Sequence, residues 1–238
     1  MNKNIVITGG TSGVGLAIAK DLLNYQDVNL ILIGRSLQKG KLVKSQLGQR
    51  VKFLQSDLAD PSQVKLVAEK IKQLVSKVDG LILCHGVYPV NATQNLQNNL
   101  LSHYKLVENL ISVLQQSKIL IVTGRPSAIK LLPICQQQNN TLEMIAWELT
   151  HKTLLMKFLA NQFKASETIV NSFYPGDVKS NLMPYTRGLT ENVVTIVSHL
   201  LFDEPYQKQT GRFYDNFGKE IELSNQYNDN QKLIDYLN

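Results

Sequence analysis

Six short apolar runs punctuate the chain: "NIVIT" (4–8), "NLILI" (29–33), "VKFL" (51–54), "GLILC" (80–84), "KILIVT" (118–123) and "TIVNSF" (168–173). They are continuously apolar rather than alternating, the pattern of strands buried on both faces. Between them, apolar residues recur every three to four positions. This predicts helices near 13–24, 38–47, 62–76, 93–116 and 143–163, another over 190–202 and a short one over 229–237. "QQQNN" (136–140) is the one biased polar stretch and reads as a surface loop. Alternating strands and helices at this spacing predict an α/β fold, a parallel sheet with helices on both faces. Right-handed crossovers then make the sheet doubly wound. With 238 residues and no break in composition, residues 1–238 read as one domain.

Composition changes this picture little. Hydrophobic residues make up 43%, enough for a large core. The formal charge is +6, but the lysines are scattered, with no basic block and no basic stripe interleaved with aromatics. Nucleic-acid binding is therefore not expected. "MNKNIVITGG" turns to glycine too soon for a signal peptide or a membrane span, which sets the expectation of a cytoplasmic protein. Cys84 and Cys135 support neither a disulfide framework nor a zinc site, and no metal is expected.

Chemistry enters at "ITGGTSGVGLAIAKDLL" (7–23), directly after the first strand and running into a helix. Gly9, Gly13 and Gly15 suit a tight turn, close approach to phosphate and close packing of helix on strand. The helix N-terminus then favours an anion, a Rossmann-type arrangement in the context it requires. The second strand ends "LILIGRS". Arg35, followed by Ser36, stands where an acidic residue would read a ribose hydroxyl and an arginine a 2′-phosphate. NADP(H) is thus favoured over NAD(H).

With these pieces in place, the chain resembles the short-chain dehydrogenase/reductase family from about residue 4 to residue 182. Thr8-Gly9-Gly10-Thr11-Ser12-Gly13-Val14-Gly15 fits that family's TGxxxGxG motif at every fixed position. Asp57-Leu58 looks like its adenine-contacting Asp-Leu. "Leu83-Cys84-His85-Gly86" takes the place of its NNAG motif, of which only Gly86 is kept. "Tyr174-Pro175-Gly176-Asp177-Val178-Lys179-Ser180" resembles its PGxVxT segment, with Ser180 in the carboxamide-binding hydroxyl position. "GRFYDNFGKEIEL" and the terminal "LIDYLN" look more weakly like the tail of retinol-dehydrogenase-like and protochlorophyllide-reductase-like members.

The resemblance implies hydride transfer between a nicotinamide and a carbonyl/alcohol pair. It also implies four side chains: a tyrosine as proton donor or acceptor, a lysine four residues later, a serine on the substrate oxygen, and an asparagine supporting the lysine through water. Lys152 fits the lysine. It occupies a core-facing slot in the stripe Ile145, Leu149, Lys152, Met156, Leu159, Phe163, where a buried charge needs partners. The tyrosine position holds Glu148, and none of the nine tyrosines has a lysine four residues later. The spacing of Glu148 and Lys152 also suits an ordinary helical ion pair, worth a few tenths of a kcal/mol if exposed. A neighbouring ammonium favours the carboxylate, making Glu148 a poor proton donor to a ketone and a better base. The serine position falls on Gly124, with Thr123 or Ser127 as nearby hydroxyls. Asn99, in "Asn99-Leu-Leu-Ser-His-Tyr", fits the asparagine, with Ser102 replacing a glycine. His85 reads as a satisfied structural histidine or a proton carrier. Tyr88 and Tyr174 follow strand ends, where ligands bind in such sheets.

Three readings follow. One is an NADP(H)-dependent oxidoreductase with an altered proton donor, acting on a carbonyl, alcohol or activated alkene. Another is a pseudoenzyme that binds NADP(H) as a sensor or partner subunit. The third is a non-redox lyase or isomerase with Glu148 as base. The resemblance further implies a homodimer through the helices near 93–116 and 143–163, or a monomer as in retinol-dehydrogenase-like members. Loops 87–95, 125–142 and 183–190 carry no motif that names a substrate.

Overall fold

Each predicted apolar run becomes a strand in the computed structural model, which describes residues 2–237. In chain order the elements are β1 (Lys3–Thr8), α1 (Gly13–Leu22), β2 (Val28–Gly34), α2 (Leu37–Leu47), β3 (Val51–Gln55), α3 (Pro61–Leu74), β4 (Gly80–Leu83), α4 (Ala92–Leu96) and α5 (Ser102–Leu110). They continue with β5 (Lys118–Val122), α6 (Pro126–Leu131), α7 (Thr141–Gln162), β6 (Ile169–Phe173), α8 (Ile196–Phe202), β7 (Phe213–Tyr214), β8 (Glu220–Ile221) and α9 (Gln231–Leu237). The sheet order is β3-β2-β1-β4-β5-β6-β7-β8. All pairs are parallel except the last, β7 with β8. The doubly wound α/β fold expected from the sequence is therefore present.

The continuous apolar character of the strands has a direct cause. Successive side chains point to opposite faces, and both faces are covered. Val6, Ile31, Leu81 and Ile119 join one core with α3, α5 and α7. Ile5, Ile7, Leu30, Leu32 and Leu120 join a second core with α1 and α8. Strand order reverses between β1 and β4, whose last paired residues are Thr8 and Leu83. A crevice opens beyond the carboxyl ends of the strands at such a reversal.

Several boundaries differ from the sequence expectation. The helix expected over 93–116 is broken. One turn of π-helix, Gln97–Leu101, separates α4 from α5, and a short 3-10 turn ends the run at Val113. The widened turn coincides with Asn99, whose side chain bonds Val87 on both its N–H and its carbonyl. Such turns concentrate at functional sites. The helix expected over 190–202 starts at Ile196. Glu191 is held otherwise: its carbonyl accepts from Lys179 N at 2.7 Å, and its carboxylate accepts from the N–H groups of Asn192 and Val193. Short helix α6 and the two-residue strands β7 and β8, which extend the sheet beyond β6, are not among the expected elements. The long helix α7 begins earlier than expected because Asn140 caps it, accepting from Glu143 N at 3.0 Å, while Glu143 reaches back to Asn139 N at 2.8 Å. Gln138, in the predicted surface loop, accepts from the buried Asn95 at 2.7 Å.

Candidate active site

The glycine turn lies at the switch between β1 and β4. Gly9 and Gly13 adopt φ of 67° and 52°, a region that favours glycine. A Cβ at Gly15 would lie 2.5 Å from the Gly9 carbonyl oxygen, and one at Gly13 3.0 Å from Ser180 Cβ. Side chains would fill this cradle. Ser12 precedes α1 without capping it through its side chain, so N–H groups of the first turn are left for a ligand. A cleft of about 600 Å³ runs from this turn, with Thr11, Ser12 and Val14 in its wall. It passes Arg35, Ser36 and Lys39 after β2, and Asp57 and Leu58 after β3. Ser36 caps α2, accepting from Lys39 N at 3.2 Å. Glycines that admit only backbone, a free helix N-terminus and cations at the far end fit a dinucleotide.

A second lobe of about 710 Å³ shares Val14, Gly86 and Ser180 with the first. Its wall includes Lys152 and Glu148, one turn apart on α7. Lys152 Nζ lies 2.7 Å from Glu148 Oε1, and their side chains are 7% and 10% exposed. The pair is buried, not a solvated surface pair. Asn99 Nδ2 donates to Glu148 Oε2 at 3.2 Å, to Val87 O at 2.9 Å and to Asn95 Oδ1 at 2.8 Å. Two amide hydrogens serve three acceptors, so the longest contact, to Glu148, is the weakest. Gly86 closes the group: a Cβ there would lie 3.2 Å from Asn99 Oδ1 and 3.5 Å from Lys152 Nζ. Gly86, Asn99, Glu148 and Lys152 therefore form one cluster, assembled from the segment after β4, the π turn and α7.

The position of the family's serine, Gly124, offers no hydroxyl. A Cβ at Gly124 would lie 2.6 Å and 2.9 Å from the two methyls of Leu149. Leu149 occupies the room a serine side chain would need. Thr123 reaches the cavity wall, but its hydroxyl is sealed from solvent without a partner. Ser127 is exposed on α6. Tyr174 donates to Asp177 Oδ1 at 2.7 Å, and Asp177 pairs with Arg125 at 2.6 Å. Burial first, then the Asp177 contact, pushes the Tyr174 phenol up to about 12. His85 is committed on both ring nitrogens, to Thr8 Oγ1 at 2.8 Å and Ser102 Oγ at 2.7 Å. Burial, then the charges of Lys152 and Arg35, hold it down to about 3. A neutral, doubly bonded imidazole is structural, so the proton-carrier alternative for His85 is set aside. Burial pushes the Cys84 thiol upward.

The segment after β6 completes the wall. Pro175, Gly176 and Val178 line the second lobe, with Gly176 at φ 87° and Val178 buried. The Ser180 hydroxyl sits 2.8 Å from Thr186 Oγ1. The cleft also takes in Lys39, Leu149 and Arg187, which sequence reasoning did not single out as site residues. Lys39 lies one turn past Arg35 and was findable on that ground. Leu149 and Arg187 carried no local signal. Among the described residues, no group of His, Cys, Asp and Glu could hold a metal, and no helix is long and apolar enough to cross a membrane.

Fold and cradle together define a doubly wound α/β protein whose cleft has two adjoining lobes, one at the glycine turn and one at the Lys152–Glu148 pair. Residues 3–124 match the short chain dehydrogenase family, and the chain belongs to that family. It is 27% identical over 240 residues to short chain dehydrogenase yanD of Aspergillus niger, covering 82% of this chain and 72% of the relative. The rat 3-keto-steroid reductase/17-beta-hydroxysteroid dehydrogenase 7 is 34% identical over 103 residues, which is 41% of this chain but only 30% of that protein. The chain thus spans about a third of the length of some curated relatives that it matches. A short chain dehydrogenase from Burkholderia cenocepacia, solved in complex with NADP, shares the fold with a TM-score of 0.74 at 17% identity, covering 90% of this chain and 95% of that one. A 3-ketoacyl-(acyl-carrier-protein) reductase from Brucella melitensis, solved with NADH, matches equally, with a TM-score of 0.74, 17% identity and coverage of 90% and 96%.

Proposed function

We propose that the chain is an NADP(H)-dependent oxidoreductase acting on an uncharged, largely apolar carbonyl, alcohol or activated alkene. One observation carries this reading: a single cleft joins the glycine cradle to the buried Lys152–Glu148–Asn99 cluster. The first turn of α1 would hold the diphosphate, Asp57 and Leu58 the adenosine, Lys152 the nicotinamide ribose and Ser180 the carboxamide. Arg35 supports NADP(H) over NAD(H), since among the described residues it has no ion-pair partner, and Lys39 adds a second cation beside it. When bound, the cofactor supplies or accepts hydride at its nicotinamide.

The chain's own part is orientation and proton handling. Lys152 and Asn99 orient the Glu148 carboxylate, which the motif resemblance aligns with the family's tyrosine. In this reading it serves as the proton acceptor for an alcohol. With Leu149 filling the room at Gly124, the serine position supplies no hydroxyl to steady a substrate oxygen. Substrates that delocalise their own charge need that help least. Ile145, Leu149, Leu182 and Met183 make the lobe apolar, and its charges are paired within the protein: Lys152 with Glu148, Arg125 with Asp177.

The test is turnover. Purified protein is given NADPH with a panel of apolar ketones and conjugated enones, and NADP+ with the matching alcohols, while reduced-nicotinamide absorbance is followed. Turnover abolished by Lys152→Ala supports the reading. Tight cofactor binding with no turnover across the panel moves the assignment to a second reading, an NADP(H)-binding pseudoenzyme. That reading draws on the filled serine position and on the engagement of Glu148 by its neighbours. For the homodimer expected through the helices near 93–116 and 143–163, α5 buries its apolar residues within the chain, and Tyr236 of α9 packs on Trp147 and His151 of α7, while Ile111 and Leu142 stand exposed.

A further inference from the structure

We propose that Arg187 clasps the cofactor's diphosphate from a strap laid across the glycine turn. The inference rests on the dinucleotide reading above. The first turn of α1 reads Gly13-Val14-Gly15-Leu16 and carries no cation. A helix N-terminus offers N–H donors and about half a positive charge, less than a diphosphate carries. The remainder has to come from another segment.

Among the described residues, three cations line the nucleotide lobe: Arg35, Lys39 and Arg187. Arg35 and Lys39 follow β2 and stand at the adenosine end. Arg187 approaches from the opposite wall, on residues 180–188 after β6. That strap is seated on the turn itself, since Ser180 is the first atom group a Cβ at Gly13 would meet, at 3.0 Å. Thr186 pins it down. Its hydroxyl, on a residue only 7% exposed, donates to carbonyls of Ser180 or Met183, both at 2.9 Å, and lies 2.8 Å from the Ser180 hydroxyl. Ser180 N donates back to Thr186 O at 3.2 Å. Arg187, the next residue, is thereby held in the wall of the cleft. It is exposed and has no ion-pair partner among the described residues. A guanidinium fork matches two phosphate oxygens at once.

The clasp predicts a signature that separates it from the Arg35 site. NADP+ and NAD+ share the diphosphate, but only NADP+ carries the 2′-phosphate. Wild type, Arg187→Ala and Arg35→Ala are titrated calorimetrically with both. Arg187→Ala weakens both cofactors by a similar factor, roughly tenfold, as for the loss of one hydrogen-bonded charge at a partly solvated site. Arg35→Ala weakens NADP+ selectively. Because Arg187 is exposed, its variant melts like wild type. If Arg187→Ala binds both cofactors as wild type does, or loses NADP+ alone, the clasp is wrong while the dinucleotide reading stands. If wild type binds neither, the dinucleotide reading fails and takes the clasp with it.

Discussion

Replacing Lys152 by Met tests whether the 148/152 pair is a buried element or a surface ornament. Met keeps most of the aliphatic stem and removes the ammonium. Glu148, 8% exposed, then retains one charge-stabilising contact, the 3.2 Å donation from Asn99, which Val87 and Asn95 already share. An exposed pair at this spacing is worth a few tenths of a kcal/mol. Stranding one member of a buried pair costs about 3–5 kcal/mol. Side-chain exposures of 7% and 10% place this pair in the second class. For a chain of this size the loss lowers Tm by roughly 6–20 °C. Adding Glu148→Gln removes the stranded charge and keeps an acceptor and donors, so the double variant recovers most of the loss. Urea unfolding at pH 7 measures both, with an unchanged slope confirming that stability alone has shifted. A loss below about 1 kcal/mol for Lys152→Met, or a double variant no better than the single, refutes the buried-pair account.

Further outcomes follow from other parts of the molecule. Gly124→Ser forces a side chain against the Leu149 methyls 2.6 Å and 2.9 Å away; thermal melts should show a loss of about 1–3 kcal/mol, partly relieved by adding Leu149→Ala. His151 is fully buried, and burial holds its folded pKa to about 4, below the value of about 6.5 it has unfolded. The unfolded chain therefore protonates first as pH falls, and stability present above about pH 6.5 drains away toward pH 4, reaching a loss of about 2 kcal/mol at pH 5. Stability against pH should show this limb, to which His85, held down to about 3, adds over the same window, and His151→Gln should reduce the loss at pH 5 by about 2 kcal/mol rather than abolish it. Tyr174→Phe should leave kcat within about twofold in the turnover assay, because the phenol is tied to Asp177 at 2.7 Å and is no proton donor.

Much of this was legible in the sequence, for reasons that mark its limits. The apolar runs at 4–8, 29–33 and 80–84 became strands because burial on both faces leaves polar residues only at their ends. The glycine turn was readable because strand, glycines and helix are consecutive. Lys152 was readable because i and i+4 share a helix face. By contrast, β7 and β8 have two residues each, too few for any period to show. The π turn at 97–101 depends on Asn99 reaching Val87, a tertiary contact. Leu149 and Gly124 lie on separate elements, so the filling of the serine position appears only once α7 is packed beside the end of β5. Arg187 lies beyond the recognisable motif and reaches the cleft only because Thr186 folds the strap back onto Ser180.

Cofactor binding tests the central claim most directly. The single tryptophan, Trp147, is fully buried and stacks on His151 at 4.1 Å, away from the cleft, so heat is the better signal than its fluorescence. Calorimetric titration of the wild-type chain with NADPH should give a Kd of roughly micromolar order, and NADH should bind about tenfold or more weaker for want of the phosphate that Arg35 reads. Equal affinity for the two would contradict the Arg35 assignment, and no heat with either would contradict the account as a whole.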